Sequence, residues 1–477
     1  MDSKQIINYR QMSWLIASLL TGGGLVSIQH DLVRVARMDA WFTYILPTLY
    51  IVLVAYAFCK LAQRFPGRNL FEINKIVMGK AVGLIFNLIL IIHFWLMLIR
   101  DVRSFSKFMG TILLPTTPEE VVLFIMILLI MYFGRTSIEV IGRVNDIFFP
   151  LFALTILLMP LMLANELDKS LIEPILAGDF FNVFYGNMLS LGWYGDIFIA
   201  GAFLHAISQI KQVRSAIRHG AILSSLFLGI FLLMEVLVFG PIISGNLIYP
   251  NYNLVQQIHI TDFLDRMDLL ILSIWAPILF SKDILIYLAL LTGLASLVKQ
   301  RDYSTINTPI GYFILLTSLL AFKNTTEVFS FGNYSSTVIV LSYQPLALLL
   351  LLLLSRRFPV PKTSQNSGSN QPSPARQDNG DSDSANHTGA DDNQKGTNQN
   401  RRPGSSPLSA HGPSYHLWSR LSNILLITSI VSVVAGLWGS EYFATIGVVC
   451  GIIYGLAMIL AVISSYMELT QARQQRI

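Results

Sequence analysis

The chain has 477 residues, of which 53% are hydrophobic and only 13% are charged, with a formal net charge of +5. A soluble domain carries roughly 25% charged residues, so this composition excludes a soluble globular protein and predicts an all-α integral membrane protein. The two cysteines, Cys59 and Cys450, lie far apart in apolar runs and offer neither a disulfide framework nor a metal-ligand spacing.

Twelve apolar segments are long enough to cross a lipid bilayer, which takes about 20 residues of helix. They lie near residues 11–32, 41–61, 83–110, 119–134, 146–164, 182–206, 220–243, 268–295, 308–323, 337–355, 421–438 and 442–464. Lysine and arginine are concentrated in alternate loops, at residues 64–80, 135–143, 211–218, 299–301 and 356–362. By the positive-inside rule, we predict a multi-pass protein with both termini in the cytoplasm.

The composition changes after residue 361, where Ser, Asn, Gln, Asp, Gly and Pro replace almost all aliphatic side chains. Such a segment cannot bury enough apolar area to order itself, so we expect a disordered cytoplasmic linker over 362–415. The linker separates a ten-helix core, 1–361, from a two-helix transmembrane appendage, 416–477. Small residues in AGLWGS and GVVCGIIYG favour close helix packing, and we interpret the appendage as a packing or partner-docking hairpin.

Glycines interrupt the first and the sixth predicted spans, in TGGGLVS at 21–27 and in SLGWYGD at 190–196. Glycine-interrupted spans at matching places in two five-helix halves indicate a five-plus-five inverted-repeat transporter fold. Broken helices free backbone N–H and C=O groups at bilayer depth, where these groups can hold a ligand. The alternative is that the glycines only let neighbouring helices pack closely.

Ionisable residues at bilayer depth are costly, and each one is a candidate functional residue. Asp196 lies at the break of the sixth span, and Lys282 and Asp283 lie in the eighth span. A helical rise of 1.5 Å per residue places Asp196 and Lys282 at a similar depth, about 21 Å from the outer end, so that the two can pair. In the alternative interpretation, Lys282 and Asp283 belong to a purely structural ion pair.

Further polar residues lie in the third and seventh spans. Asp101 is predicted nearer the outer face, where Arg100 and Arg103 either pair with it or line an entrance. His93 is interpreted as a neutral core histidine, with a proton relay as the alternative, and Glu235 as a structural hydrogen-bonding group. The sequence offers no nucleophile–base pair, phosphate-binding loop or metal-ligand cluster. We therefore expect no enzyme activity, catalytic residue, cofactor, metal or nucleic-acid partner.

Six motifs occur in an order and spacing that resemble the B-subunit family of bacterial spore germinant receptors, within the amino acid–polyamine–organocation transporter superfamily. They are TGGGLVS at 21–27, RFPGRNLFEINKIVMGK at 64–80, LLPTTPEEV at 113–121, WYGD at 193–196, RMDLLILSIW at 266–275 and FSKD at 280–283. The resemblance spans about residues 8–358.

The resemblance implies a sensor of a small germinant (an amino acid, sugar or nucleoside) in the spore inner membrane, acting beside an A subunit and a C lipoprotein subunit. Position by position, it implies a ligand pocket at Gly22, Gly23, Gly24, His93, Met97, Tyr194, Gly195, Asp196, Ser281 and Lys282. It also implies charge relay or gating by Asp101, Asp196 and Lys282. Three features depart from the family: Asp196 stands where Glu is usual, the usual proline after the first-span glycines is absent, and the chain continues beyond 361.

Two further functional hypotheses stay open beside a germinant-sensing receptor subunit. The first is an amino-acid or cation symporter of the same superfamily, since a fold by itself does not define a function. The second is a structural membrane scaffold. Saturable transport by this chain alone would favour the symporter, and a specific ligand would argue against the scaffold.

Overall fold

The computed structural model of the protein describes residues 7–207, 210–258, 266–298, 304–360 and 415–474, and their regular secondary structure is helical. The helices are α1 Tyr9–Val26, α2 Gln29–Ala36, α3 Ile45–Arg64, α4 Leu70–Val77, α5 Lys80–Phe108, α6 Glu119–Phe133, α7 Ile138–Met162, α8 Phe180–Tyr194, α9 Ile210–Ser244, α10 Pro250–Gln256, α11 Met267–Val298, α12 Ser304–Ala321, α13 Thr325–Ser330, α14 Ser336–Ser355, α15 Tyr415–Gly439 and α16 Ala444–Gln474. Shorter 3₁₀ or π segments occupy Arg37–Phe42, Met109–Leu113, Lys169–Leu171, Gly195–Ala206 and Phe331–Ser335.

Among the described residues, eight helices are long and apolar enough to cross a membrane, or nine if the bent pair at the start of the chain is one span. The remaining three predicted spans fall on α6, on α8 with its 3₁₀ continuation, and on α12. Helices α6 and α8 have 15 residues each, fewer than the roughly 20 that a complete span requires. Helix α12 has 18 residues. Each of the twelve predicted segments therefore contains a helix, but α6, α8 and α12 are shorter than a complete span.

The first break lies just after the glycines rather than among them. Helix α1 stays helical through Gly22–Gly24, and the chain then bends by 69° between Val26 and Gln29. The carbonyl groups freed by this bend are bound by two buried amides: Asn251 donates to the Leu25 carbonyl at 2.8 Å and Asn333 to the Ser27 carbonyl at 3.3 Å. These amides allow a helix to end in a buried environment, where unpaired backbone groups are expensive.

The second break lies where the sequence predicted it. Helix α8 ends at Tyr194, and a 3₁₀ segment continues from Gly195 to Ala206. The Gly195 carbonyl accepts a hydrogen bond from Gln344 Nε2 of α14 at 3.0 Å. Added Cβ atoms at Gly192 and Gly195 would collide with Thr337 and Val340 of the same helix. Both interpretations of these glycines, a helix break and close packing, therefore apply: the α-helix ends here, and α14 packs closely against the chain at the same place.

The C-terminal helices form one compact unit with the described part of residues 7–360. Helices α15 and α16 pack against each other and α16 packs along α9, where Arg218 forms an ion pair with Glu468 and both side chains are fully buried. Beside this pair, His219 Nδ1 lies 2.8 Å from the Ser465 hydroxyl oxygen. The two predicted spans of the appendage are therefore present as helices. Of the predicted linker, 362–415, residues 362–414 lie outside the described residues, and Tyr415 is the first residue of α15.

Candidate functional site

Four charged side chains from three elements meet at the second break, and we call them the charge cluster: Arg100 and Asp101 of α5, Asp196 of the 3₁₀ segment, and Lys282 of α11. Arg100 donates through Nε to Asp101 Oδ1 at 2.7 Å and through Nη2 to Asp196 Oδ2 at 3.1 Å. Lys282 Nζ lies 2.8 Å from Asp101 Oδ2 and 2.9 Å from Asp196 Oδ2. Each cation therefore bridges both carboxylates.

The charge cluster is buried, since none of its four side chains is more than 7% exposed. Removing a single charge from water costs several kcal/mol even after relaxation, and this cost is offset only by well-placed partners. Two cations and two anions in mutual contact supply such partners at bilayer depth. The arrangement is neutral as a whole, but removal of any one charge leaves the buried cluster with an unbalanced net charge.

Trp193 and Gly23 position the two cations. The Trp193 ring centroid lies 3.8 Å from the Arg100 guanidinium carbon and 4.8 Å from Lys282 Nζ, within the range of cation–π attraction. A Cβ atom at Gly23 would lie under 3.0 Å from both Lys282 Nζ and the Trp193 ring. The first-span glycine therefore makes room for the ammonium group and the indole.

A cavity of about 20 Å³ adjoins the charge cluster, room for about one water molecule. It is lined by Gly22, Gly23, Val26, Asp101, Ser104, Phe105, Trp193, Leu279, Lys282 and Asp283. Asp283 is 4% exposed, and it forms no ion pair with any residue that the structure describes. A nutrient-sized ligand would have to widen this cavity, so the arrangement is a closed one.

The structure brings five of the predicted site residues together. Gly22, Gly23, Asp101 and Lys282 line the cavity, and Asp196 joins them through its ion pair with Lys282. The predicted proximity of Asp196 and Lys282 is thus present in the structure. Their role in ligand binding stays a prediction.

The other predicted ligand residues point elsewhere in the described structure. Gly24 packs against Leu228, the Tyr194 hydroxyl oxygen lies 2.8 Å from that of Ser225, and Ser281 donates to the Pro277 carbonyl of its own helix at 2.7 Å. Three more residues are buried without lining the cavity: His93, Met97 and Gly195.

His93 packs against the Tyr343 ring at a centroid distance of 5.5 Å, and its ring nitrogens have no hydrogen-bond partner among the described residues. No chain of polar groups therefore leads from it to the charge cluster, and this contact pattern favours the neutral core histidine.

The sequence named Arg100 only as a possible partner of Asp101 and Asp283 only as a charged residue inside a span, and it gave Trp193 no role; the structure places all three at the site. A signal existed for Arg100, because a basic residue inside a predicted span is expensive and should have a partner. The predicted pairing of Arg100 with Asp101 is present in the structure. What the sequence could not supply was the second partner of Arg100, Asp196, which lies on a different element. Trp193 lies in the WYGD motif at 193–196, but nothing in that motif indicated that its ring lies against two cations.

The charge cluster is suited to exchange of ion pairs rather than to metal chemistry. Within the described ranges, no three His, Cys, Asp or Glu side chains are grouped to hold a metal ion. The Lys282 ammonium lies between two carboxylates, where a bound cation would otherwise have to sit. A ligand carboxylate could compete for Arg100 or Lys282, and a ligand amine could compete for Asp101 or Asp196.

The fold is that of membrane transporters. The chain superimposes on a closed, bromovinylhydantoin-bound structure of MHP1, a nucleobase-cation-symport-1 family transporter, with a TM-score of 0.53 at 11% sequence identity. The match covers 96% of this chain and 92% of that one, and at this identity it concerns the fold alone. It confirms the predicted class, an all-α, multi-pass membrane protein with an inverted-repeat transporter fold.

The chain belongs to the spore germination protein family, whose model matches residues 6–326. The protein YfkT of Bacillus subtilis (strain 168) is 26% identical over 330 residues, which cover 68% of this chain and 90% of YfkT. Spore germination protein B2 of the same strain is 26% identical over 278 residues, covering 57% of this chain and 74% of B2. The resemblance seen in the sequence is thereby confirmed, and α14, α15 and α16 lie beyond the family match.

Proposed function

We propose that this chain is the germinant-sensing membrane subunit of a spore germinant receptor, and that it binds a small nutrient between its two broken helices. The observation that carries this proposal is the charge cluster, in which both Arg100 and Lys282 bridge Asp101 and Asp196. The carboxylate of a zwitterion can replace an aspartate as partner of a cation, and its ammonium group can replace a cation as partner of an aspartate. An amino acid is therefore the nutrient class that the charge pattern favours, with sugars and nucleosides as the other classes.

Binding in this proposal is coupled to a change of conformation. The cavity of about 20 Å³ has no room for a nutrient, so the ligand must separate Lys282 from Asp196 as it enters. A ligand shifts a conformational equilibrium only by its difference in affinity for the two states. The side chains of the charge cluster supply this difference in affinity, because they exchange partners when the ligand binds.

The partners in this proposal are a germinant receptor A subunit and a C lipoprotein subunit, and the location is the spore inner membrane with both termini in the cytoplasm. Membership of the spore germination family supports a germination role. The signal is proposed to pass to these partners when the charge cluster opens.

An amino-acid or cation symporter is the second candidate, and the shared fold with a known transporter favours it. Both candidates bind the ligand at the same place, and they differ in whether the ligand crosses the membrane. The resident Lys282 ammonium can take the position of a coupling cation, so neither candidate requires sodium at the charge cluster.

The test uses the purified full-length chain in proteoliposomes with a panel of radiolabelled amino acids, sugars and nucleosides. We expect one class to raise the thermal stability of the protein saturably without accumulating inside the vesicles, and the variant Lys282→Met to lose this response. Saturable uptake by wild type that Lys282→Met abolishes would select the symporter. A chain that neither binds nor transports any member of the panel would contradict both candidates.

A further inference from the structure

A second cavity, independent of the charge cluster, lies between the core and the C-terminal hairpin. It has a volume of about 530 Å³, within the range of roughly 300–1,000 Å³ typical of ligand sites. One wall is built by α1, α7 and α9 and the other by α16, and we call it the hairpin crevice. Residues that define it include Trp14, Trp41, Phe149, Ile230, Tyr454 and Met458.

The hairpin crevice opens onto the outer surface of the helix bundle. Leu157 on one wall is 53% exposed, and Ile459 and Ile463 on the other wall are 48% and 50% exposed. Large apolar side chains exposed on spanning helices face bilayer hydrocarbon, so the medium at the mouth of the crevice is lipid rather than water.

The lining offers hydrocarbon and aromatic surface and hardly any polar group. Its two hydroxyl groups are already bonded: that of Ser225 to Tyr194 at 2.8 Å and to the Ala221 carbonyl at 3.0 Å, and that of Tyr454 to the Trp41 carbonyl at 3.5 Å. The other polar side-chain groups of the described lining are the indole N–H groups of Trp14 and Trp41. A polar ligand would therefore find only the two indole N–H donors within the described lining, and it would lose most of its hydration without replacement. The interior accepts an apolar chain.

A basic group lies at the Trp14 end of the crevice. The guanidinium carbon of Arg10 lies 4.9 Å from the Trp14 ring centroid, and the Arg10 side chain is 51% exposed. Its contact with Asp146 is a single one, from Nη2 at 3.4 Å, so the other N–H groups of the fork are available. An aromatic groove that ends at an arginine matches an acyl chain that ends at a phosphate.

We propose that the hairpin crevice binds one membrane phospholipid, with an acyl chain between α7, α9 and α16 and the phosphate beside Arg10. The outer wall of this site is supplied by α16, which lies beyond the family match at residue 326. The site is therefore a property that the C-terminal hairpin adds to this chain.

A single glycine allows the proposal to be tested by filling the crevice. Gly455 lies on the crevice wall, and a Cβ atom there would meet no atom within 4 Å. The variant Gly455→Phe therefore directs a ring into the crevice from a position where the Cβ atom itself meets no neighbour. Leu456 is the matched control, since it is 57% exposed and points away from the crevice, so that Leu456→Phe adds a ring on the lipid face of the same turn.

The experiment is native mass spectrometry of the full-length chain released from vesicles of equal parts phosphatidylglycerol and phosphatidylcholine. We expect wild type and Leu456→Phe to retain one phospholipid each, and Gly455→Phe to retain none. The variant Arg10→Gln should keep a phospholipid but prefer phosphatidylglycerol about fivefold less than wild type does. Equal retention by Gly455→Phe and wild type would overturn the proposal.

A second measurement tests the proposal in case Gly455→Phe does not fold. The smaller substitution Gly455→Leu is compared with wild type in vesicles of phosphatidylglycerol with brominated acyl chains, which quench nearby tryptophans such as Trp14 and Trp41. Weaker quenching in the filled variant supports an acyl chain in the crevice, and unchanged quenching contradicts it. If wild type is a dimer and Gly455→Phe is a monomer, the crevice is occupied by a second copy of the chain. That outcome would also overturn the proposal.

Discussion

The ammonium nitrogen of Lys282 lies 2.9 Å from Oδ2 of Asp196, and the same carboxylate oxygen accepts a hydrogen bond from Arg100 at 3.1 Å. The acid at the break of the sixth span is thus held by two cations from two other spans. This shared carboxylate joins the third, sixth and eighth predicted spans at one point, so a change there reaches three helices.

Removal of one member of the Asp196–Lys282 pair should leave the buried charge cluster with an unbalanced net charge. We expect Asp196→Asn and Lys282→Met each to destabilise the protein by about 3–5 kcal/mol and to abolish the ligand response. The double variant leaves Arg100 paired with Asp101, so it should recover stability but not the ligand response. Thermal unfolding in detergent and the ligand dose–response measure the two effects separately.

The control for this series is Ser281→Ala, which changes the neighbour of Lys282. Among the described residues, the Ser281 hydroxyl bonds only to the carbonyl of Pro277 on its own helix, so the variant should match wild type in both measurements. If Asp196→Asn or Lys282→Met responds to ligand as wild type does, the pair is purely structural.

Two adjacent first-span glycines should differ sharply when each is changed to alanine. A Cβ atom at Gly23 collides with Lys282 Nζ and the Trp193 ring, whereas one at Gly22 makes ordinary contacts of 3.5 Å with Leu279 and Lys282. We expect Gly23→Ala to cost about 1–3 kcal/mol of stability through overpacking and to impair the ligand response. Gly22→Ala should be neutral or stabilising, because alanine has the higher helix propensity.

The comparison is made by thermal unfolding and ligand titration of the two variants side by side. Equal behaviour of Gly22→Ala and Gly23→Ala would show that the contact between Gly23 and Lys282 does not limit the site.

The C-terminal hairpin should be fastened to the core by its buried ion pair. Glu468→Ala leaves Arg218 buried without its carboxylate and should lower the stability of the full-length protein by about 3–5 kcal/mol. The paired change Arg218→Met with Glu468→Met should restore most of that loss, because apolar groups can replace a buried pair. Glu441→Ala, at an exposed position between α15 and α16, serves as the control and should have no measurable effect in the same thermal unfolding assay.

The predicted orientation places the linker in the cytoplasm. In a background with Cys59 and Cys450 changed to serine, Ser373→Cys should resist a membrane-impermeant maleimide applied to intact cells. Ser170→Cys, in the exposed segment between α7 and α8, lies on the predicted outer side and should react. Efficient labelling of Ser373→Cys from outside would reverse the topology.

The broken helices show how much of the site the sequence could predict. Glycines at 22–24 and 192–195 marked the two spans correctly, because glycine clusters are unfavourable in helices and signal a special backbone environment. The sequence misplaced the first break by several residues. The bend is fixed by Asn251 and Asn333, which bind the carbonyls of Leu25 and Ser27 from distant helices.

By itself, the sequence determined the membrane class, the helical segments, the family and the depth match between Asp196 and Lys282, because hydropathy, helical rise and motif spacing are properties of contiguous residues. Only the tertiary structure decided that Arg100 completes the charge cluster, that Trp193 lies against both cations, and that the hairpin packs on α9 and encloses a crevice. These relationships join residues from separate helices, and which helix faces meet depends on the packing of the whole bundle, which no local pattern records.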